Sequence, residues 1–121
     1  MKTHRLVLPG DLNQFGFLFG GRLLAWVDEA SWIAASLQFP QCRFVTVAMD
    51  EVVFRHSVRE GTILEIESIL EKTGRTSVTY DVLVRKGRGE GQERIFSTRV
   101  SFVNVDSEGE KLALNQSTRE E

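Results

Sequence analysis

The chain is poor in the residues that would tie it to several common functions. Cys42 is its only cysteine, so no disulfide can form within the chain. No apolar run approaches the length of a membrane span. The opening Met-Lys-Thr-His has no apolar stretch behind it that would read as a secretion signal, and together with the lone cysteine this points to a reducing cytoplasm. The two histidines, His4 and His56, are far apart and neither has a ligand-spaced partner, so no metal site is expected. No P-loop, dinucleotide fingerprint or Gly-x-Ser-x-Gly elbow occurs. Repeats and low-complexity stretches are also missing. Basic residues are in no excess: the formal net charge is −2, which argues against a dedicated nucleic-acid binder.

What remains is a 121-residue chain with 41% hydrophobic residues, enough for one domain with an ordinary core. His4–Leu8 reads as a short strand stopped by Pro9-Gly10, and Asp11–Phe19 as a loop. From Arg22 to Leu37 the pattern is helical, with Leu23, Val27, Ala30, Ala34 and Leu37 on one stripe. Trp26, Trp32 and Ile33 extend the apolar surface almost all round, which predicts a buried helix wrapped by sheet. Phe39-Pro40 ends it. Four alternating stretches follow, at Phe44–Phe54, Thr62–Glu71, Thr76–Lys86 and Arg94–Val105. Gly74-Arg75 and Gly87–Gly91 read as hairpin turns. The expectation is an α+β fold: a strand, one long helix, then four strands joined by successive hairpins into an antiparallel sheet. The residues after Leu114 are polar and read as a tail.

The chemistry concentrates in Asn13-Gln-Phe-Gly16-Phe-Leu-Phe-Gly20-Gly21, followed seven residues later by Asp28. A glycine pair at a helix start leaves backbone N–H groups open to a developing negative charge. A carboxylate farther along the helix can act as base or nucleophile. Asp28 and Glu29 are the helix's only carboxylates, and they diverge by about 100° around its axis, so at most one faces a site. Periodicity leaves the choice open. Asn13 either stabilises its loop or presents its amide to a substrate carbonyl or a water. Arg55, Arg59, Lys72, Arg75, Arg85, Lys86 and Arg88 sit at strand ends and turns, either as a solvated rim or, in part, as phosphate ligands. Cys42 has no histidine near it in sequence and is a weak nucleophile candidate.

These residues resemble the hotdog-fold acyl-CoA thioester hydrolases. The family pattern is Asn-x-x-Gly-x-x-(His or Phe)-Gly-Gly, six residues, then Asp; here Asn13, Gly16, Phe19, Gly20, Gly21 and Asp28 stand at those spacings. Val45–Ala48, Gly74–Ser77 and Phe102–Gly109 are similar to the family's second strand, its turn into the fourth strand and its final exit. The resemblance runs from about Thr3 to Leu114. Phe17 stands where many relatives carry Asp or Asn.

The resemblance implies a hotdog fold, a five-stranded antiparallel sheet wrapped around one long central helix, with residues 1–114 as a single domain and 115–121 as a polar tail. It implies hydrolysis of acyl-CoA to a carboxylate and free CoA, with no cofactor beyond the CoA of the substrate. Asp28 becomes the general base or nucleophile, Gly21 and its neighbours the oxyanion hole, and Asn13 a helper at the carbonyl or water. Gly20, Phe17, Leu24 and Trp32 would contact substrate, with Arg55, Arg75 and Thr76 on the CoA phosphates. A homodimer is implied, because the loop of one subunit meets the aspartate of the other, as is assembly of three dimers into a hexamer. No nucleic acid, membrane or metal partner is expected. A non-catalytic acyl-CoA-binding or sensing domain is the alternative. A hotdog dehydratase would need a loop histidine, and none lies between Pro9 and Gly21.

Overall fold

The computed structural model describes residues 1–88 and 93–116. Its elements are β1 (Lys2–Leu6), a single 3-10 turn (Pro9–Asp11), α1 (Gly20–Gln38), β2 (Phe44–Phe54), β3 (Ile63–Thr73), β4 (Ser77–Lys86) and β5 (Arg94–Asn104). The strands form one five-stranded sheet in the order β1-β3-β4-β5-β2, antiparallel at every pairing. The sheet wraps α1, which touches β2, β3, β4 and β5. This is the hotdog arrangement.

Alternation explains the core. Along β4, Val78, Tyr80, Val82 and Val84 share the helix-facing side, flanked in register by Ile66 of β3 and by Phe96, Val100 and Phe102 of β5, all essentially buried. Against them α1 presents Leu23, Trp26, Val27, Ala30, Ser31, Ala34 and Ala35. Spacings of three and four residues keep that set on one face. Small residues in its second half let the helix sit close to the sheet, and each large side chain buried here contributes roughly 1.5–3 kcal/mol. Tyr80 Oη donates to Gln38 Oε1 at 2.7 Å, and Ser31 Oγ to Val27 O at 2.8 Å, so these two hydroxyls in the layer are satisfied.

Two expectations are corrected. Helix α1 is not apolar-and-buried all round: Gly21, Arg22, Ala25, Glu29 and Trp32 are exposed, and Leu37, expected on the core stripe, is 68% exposed because it lies off the sheet-facing side in the last turn. Nor do four strands follow by successive hairpins. Strand β2 pairs with β5, not β3, so residues 55–62 cross from one side of the sheet to the other. The β3–β4 hairpin forms as expected, closed by Gly74 N–H to Ser77 O. Strands β4 and β5 pair, and residues 89–92 of the expected turn lie outside the described residues.

Strand β1 covers one edge and β2 is left at the other. Strand β2 carries two register irregularities, and Glu51, inside the second, adopts φ 54°. The end of the described chain is tied down: Asn104 Nδ2 donates to Ala113 O, and its Oδ1 accepts from Arg43 N–H. Of the expected tail, residues 117–121 lie outside the described residues. Among the described residues no helix is long and apolar enough to cross a membrane.

Candidate active site

The loop before α1 is built to present the helix start. Asn13 Oδ1 accepts from the N–H groups of Phe15 (2.9 Å) and Phe17 (3.1 Å), and Asn13 N–H donates to Phe17 O (2.7 Å). Gly16 sits in the left-handed region, φ 85°, where glycine carries no steric cost. The amide oxygen of Asn13 thus serves the loop, and its NH2 group has no acceptor among the described residues. Phe19 is the N-cap and has no side-chain oxygen to offer. Its carbonyl accepts from Arg22 and Leu23, while the N–H groups of Gly20 and Gly21 have no acceptor among the described residues. A Cβ on Gly21 would come within 2.9 Å of the Phe19 ring, so glycine keeps this turn tight.

Asp28 and Glu29 now separate. Glu29 is exposed and paired with Arg5. Asp28 is half-buried, and its Oδ1 accepts a 2.7 Å hydrogen bond from Thr46 Oγ1 on β2. Its second oxygen has no hydrogen-bond partner among the described residues, which leaves it open to a proton or a carbonyl carbon. Thr46 carried no signal of its own: a threonine in a valine-rich strand reads as β propensity, and only the fold brings it against the helix.

Helix α1 and β2 run antiparallel along a shared seam. The Gly20 end abuts the ring of Phe54, Asp28 meets Thr46, and Trp32 Nε1 donates to Phe44 O at 3.0 Å. Leu24, Asp28 and Trp32, four residues apart, form the line that faces this seam. Phe17, by contrast, lies under the guanidinium of Arg59, 4.8 Å from its ring centre.

A cavity of about 280 Å³ opens at the helix start, bounded by Leu18, Gly20, Leu23 and Ile95 on one side and by Phe54 to Val58 on the other. Arg55 is exposed at this cavity. Arg75 and Thr76 are at the far end of the sheet, separated from the Arg55 end by the length of β4, roughly 30 Å at the usual strand rise. The three do not meet within one chain.

The two halves of the chemistry are apart as well. Gly21 and Asp28 are seven residues apart on one straight helix, about 10 Å along its axis. Groups that act on one carbonyl need contacts of about 3 Å.

Other candidates find structural work. Arg85 is not on a solvated rim: it lies in β4, bonded to Glu65 (2.8 Å) and Glu67 (3.2 Å), and those carboxylates raise its pKa. Lys86 pairs with Glu93, as does His56, while His4 pairs with Glu65. Burial pushes the Cys42 thiol up, and its Sγ–H donates to Leu114 O, which leaves it a poor nucleophile. No metal-binding group of side chains occurs among the described residues.

The model of the thioesterase superfamily matches residues 15–92. An uncharacterized acyl-CoA thioester hydrolase of Zymomonas mobilis is 35% identical over 105 residues, covering 85% of this chain and 70% of that protein. The crystal structure of a hexameric thioesterase from Yersinia pestis superposes with a TM-score of 0.86 at 29% identity, over 94% of this chain and 93% of that one. The acyl-CoA hydrolase of Staphylococcus aureus, solved with butyryl-CoA, CoA and CoA disulfide, gives 0.84 at 27% identity, over 93% of this chain and 70% of that one. That hydrolase has also been solved with alanine in place of an aspartate, of a threonine and of an asparagine.

Proposed function

The chain belongs to the thioesterase superfamily, in its hotdog-fold acyl-CoA branch, and from that premise we propose that it hydrolyses acyl-CoA with Asp28 as the catalytic carboxylate, in a site completed by a second copy of itself. The observation that carries this reading is Asp28 itself. It is a half-buried carboxylate held by Thr46 at one oxygen and, among the described residues, without a hydrogen-bond partner at the other, on the seam beside the edge strand β2. The Staphylococcus aureus hydrolase, altered at an aspartate, a threonine and an asparagine, gives the same three residue types a bearing on Asp28, Thr46 and Asn13.

The reaction adds water across the thioester carbonyl and expels CoA as its thiol. Asp28 takes the proton of the attacking water, or attacks the carbonyl itself to form an anhydride that water then opens. The oxyanion rests on the Gly21 N–H, with Gly20 beside it, and each such donor contributes about 3 kcal/mol to the transition state. Asn13 directs its NH2 group at the carbonyl or the water. Leu24 and Trp32 line the seam for the acyl group, and Phe17 closes the loop side. Arg55, at the cavity beside the helix start, takes a CoA phosphate; Arg75 and Thr76 reach the same ligand only from the other copy. No cofactor enters.

The roughly 10 Å between Gly21 and Asp28 is the reason a second copy is needed. Strand β2 supplies the contact. It is an eleven-residue edge with Val45, Val47, Val52, Val53 and Phe54 exposed, the kind of edge that a stable protein covers. Two-fold pairing of β2 with β2 sets two α1 helices side by side in opposite directions, Gly21 of one toward Asp28 of the other. Three such dimers would give the hexamer named for the Yersinia pestis relative.

The test is release of free CoA from acetyl, medium-chain, long-chain and aromatic CoA esters by wild type and by Asp28→Asn. Turnover in the wild type and a loss of at least about tenfold in the folded variant are expected. Undiminished hydrolysis by Asp28→Asn removes Asp28 from the mechanism. Binding of CoA derivatives without cleavage of any ester replaces catalysis with a binding or sensing role.

A further inference from the structure

We propose that Arg59 is a positioning residue for the reaction: by lying over the Phe17 ring it fixes the loop turn that aims the Asn13 side chain. The inference rests on Asn13 serving the substrate carbonyl or the water. Asn13 and Phe17 are locked to each other. Asn13 N–H donates to Phe17 O at 2.7 Å, and Phe17 N–H returns a bond to Asn13 Oδ1 at 3.1 Å. Both backbone polar groups of Phe17 are thus spent on Asn13. Phe15 N–H holds the same Oδ1 at 2.9 Å. An oxygen held by two donors sets the plane of the carboxamide, and with it the direction of the NH2 group. A shift of Phe17 is therefore a shift of that NH2 group.

The turn has little of its own to hold Phe17 in place. Gln14, Phe15 and Gly16 are exposed, and Gly16 is at φ 85°. The hold comes from the crossover between β2 and β3, through two adjacent contacts. Leu18 N–H donates to Val58 O at 2.7 Å, and the guanidinium of Arg59 lies 4.8 Å from the Phe17 ring centre. That crossover is itself fastened to the core. Val58 is 3% exposed. Gly61 N–H donates to Val7 O at 2.8 Å, and the N–H of Val7, a fully buried residue, donates to Thr62 O at 2.9 Å. A continuous run of contacts leads from the core through the crossover to Arg59, Phe17 and Asn13.

The place of Arg59 separates it from the other arginine of the crossover. Arg55 to Val58 border the cavity of about 280 Å³ at the helix start, and Arg59 does not. Its charge rests on the ring face instead. A guanidinium is planar and stays charged at any working pH, so the stack persists wherever the enzyme acts. The alternative, Arg59 as a phosphate ligand, makes a different kinetic demand. A phosphate ligand is felt only by substrates that carry phosphate, whereas a residue that aims Asn13 is felt by every thioester.

The experiment measures kcat and KM separately on butanoyl-CoA and on butanoyl-pantetheine, which keeps the thioester and carries no phosphate. The proteins are wild type, Arg59→Met, Arg59→Lys, Phe17→Leu and the double variant Phe17→Leu with Arg59→Met. In Arg59→Met kcat should fall about three- to tenfold, the scale of a partly exposed cation on a ring, by the same factor on both esters and with KM within about twofold. Arg59→Lys restores a cation and should recover most of the loss. In the Phe17→Leu background Arg59→Met should cost less than about twofold, because the ring it acts on is gone. A loss seen only as a raised KM on butanoyl-CoA makes Arg59 a phosphate ligand and overturns the proposal. So does an unchanged kcat in folded Arg59→Met, or an equal loss with and without the Phe17 ring. Should Arg59→Met not fold, Phe17→Leu alone carries the test: its kcat should fall by the same factor on both esters, and an unchanged kcat overturns the proposal. Asn13→Asp keeps the oxygen and loses the NH2 group. Full activity in that variant overturns the role of Asn13 and this inference with it, and cleavage of neither ester by wild type overturns the thioesterase reading beneath both.

Discussion

Asp28 and Glu29 are chain neighbours of the same chemistry, and only their surroundings tell them apart. Glu29 reaches solvent and an arginine; Asp28 reaches a threonine hydroxyl on an edge strand. That hydroxyl holds one carboxylate oxygen and so aims the other. Its removal should damage turnover more than binding. Thr46→Val keeps the side chain's shape and deletes the donor, at the cost of a charge-assisted hydrogen bond, about 1.5–3 kcal/mol. The expected result is a drop in kcat of about ten- to a hundredfold with KM changed much less, restored by Thr46→Ser, in steady-state kinetics on butanoyl-CoA. Equal losses in the serine and valine variants would reduce Thr46 to a packing role. Asn13 shows the same division within one side chain: its oxygen ties down the loop, and its NH2 group has no acceptor among the described residues, which is what the proposed contact with the carbonyl or water would use.

At the scale of elements, the outer face of the sheet is held by charge where the inner face is held by hydrocarbon. Arg85 of β4 stands opposite Glu65 of β3 in register, and Lys2 and His4 of β1 reach the same carboxylate. The hydrogen bond from Arg85 holds the Glu65 carboxyl below its ordinary value of 4.5. A folded-state pKa depressed in this way stabilises the fold above the unfolded-state value, and the stabilisation is lost as pH falls through the folded one. Glu65→Gln should therefore melt below wild type near neutral pH, with the gap closing as the pH is lowered into and below the carboxylate range. Thermal melts across that range check it, and a gap independent of pH would contradict it.

The same elements mark what the sequence could convey. A period of two says which side of a strand is buried, and a period of 3.6 says where a helix runs, so every strand and α1 were readable to within about two residues. Neither period names a strand's neighbour. Strand β2 reads identically beside β3 or β5, and its true place on the edge decides everything about the seam. Arg85 reads as a rim residue at the end of a strand whose extent to Lys86 is legible; what the sequence does not convey is that β3 sets Glu65 opposite it. Thr46 was hidden for the same reason as the edge: its role exists only once β2 lies along α1.

At the scale of the whole molecule, the distance between Gly21 and Asp28 divides the proposed chemistry between two copies, and that division has a signature no single-chain site can imitate. Asp28→Asn removes the carboxylate. Gly21→Pro removes a backbone N–H, and proline is tolerated in a helix's first turn, although its ring must displace the Phe19 side chain that already crowds this position. Each variant alone should be inactive. Mixed after dissociation and allowed to reassociate, half of the dimers pair one variant with the other. In such a pair one site combines both defects, and the second joins an intact Gly21 to an intact Asp28. Random pairing then restores about a quarter of the wild-type sites, two sites per two-fold dimer. Recovery of CoA release near that fraction, dependent on the mixing step, is the expected outcome. Persistent inactivity of a mixture that mass spectrometry shows to contain the hybrid dimer would mean that each chain works with its own glycine and its own aspartate, against the roughly 10 Å that an α-helix sets between them.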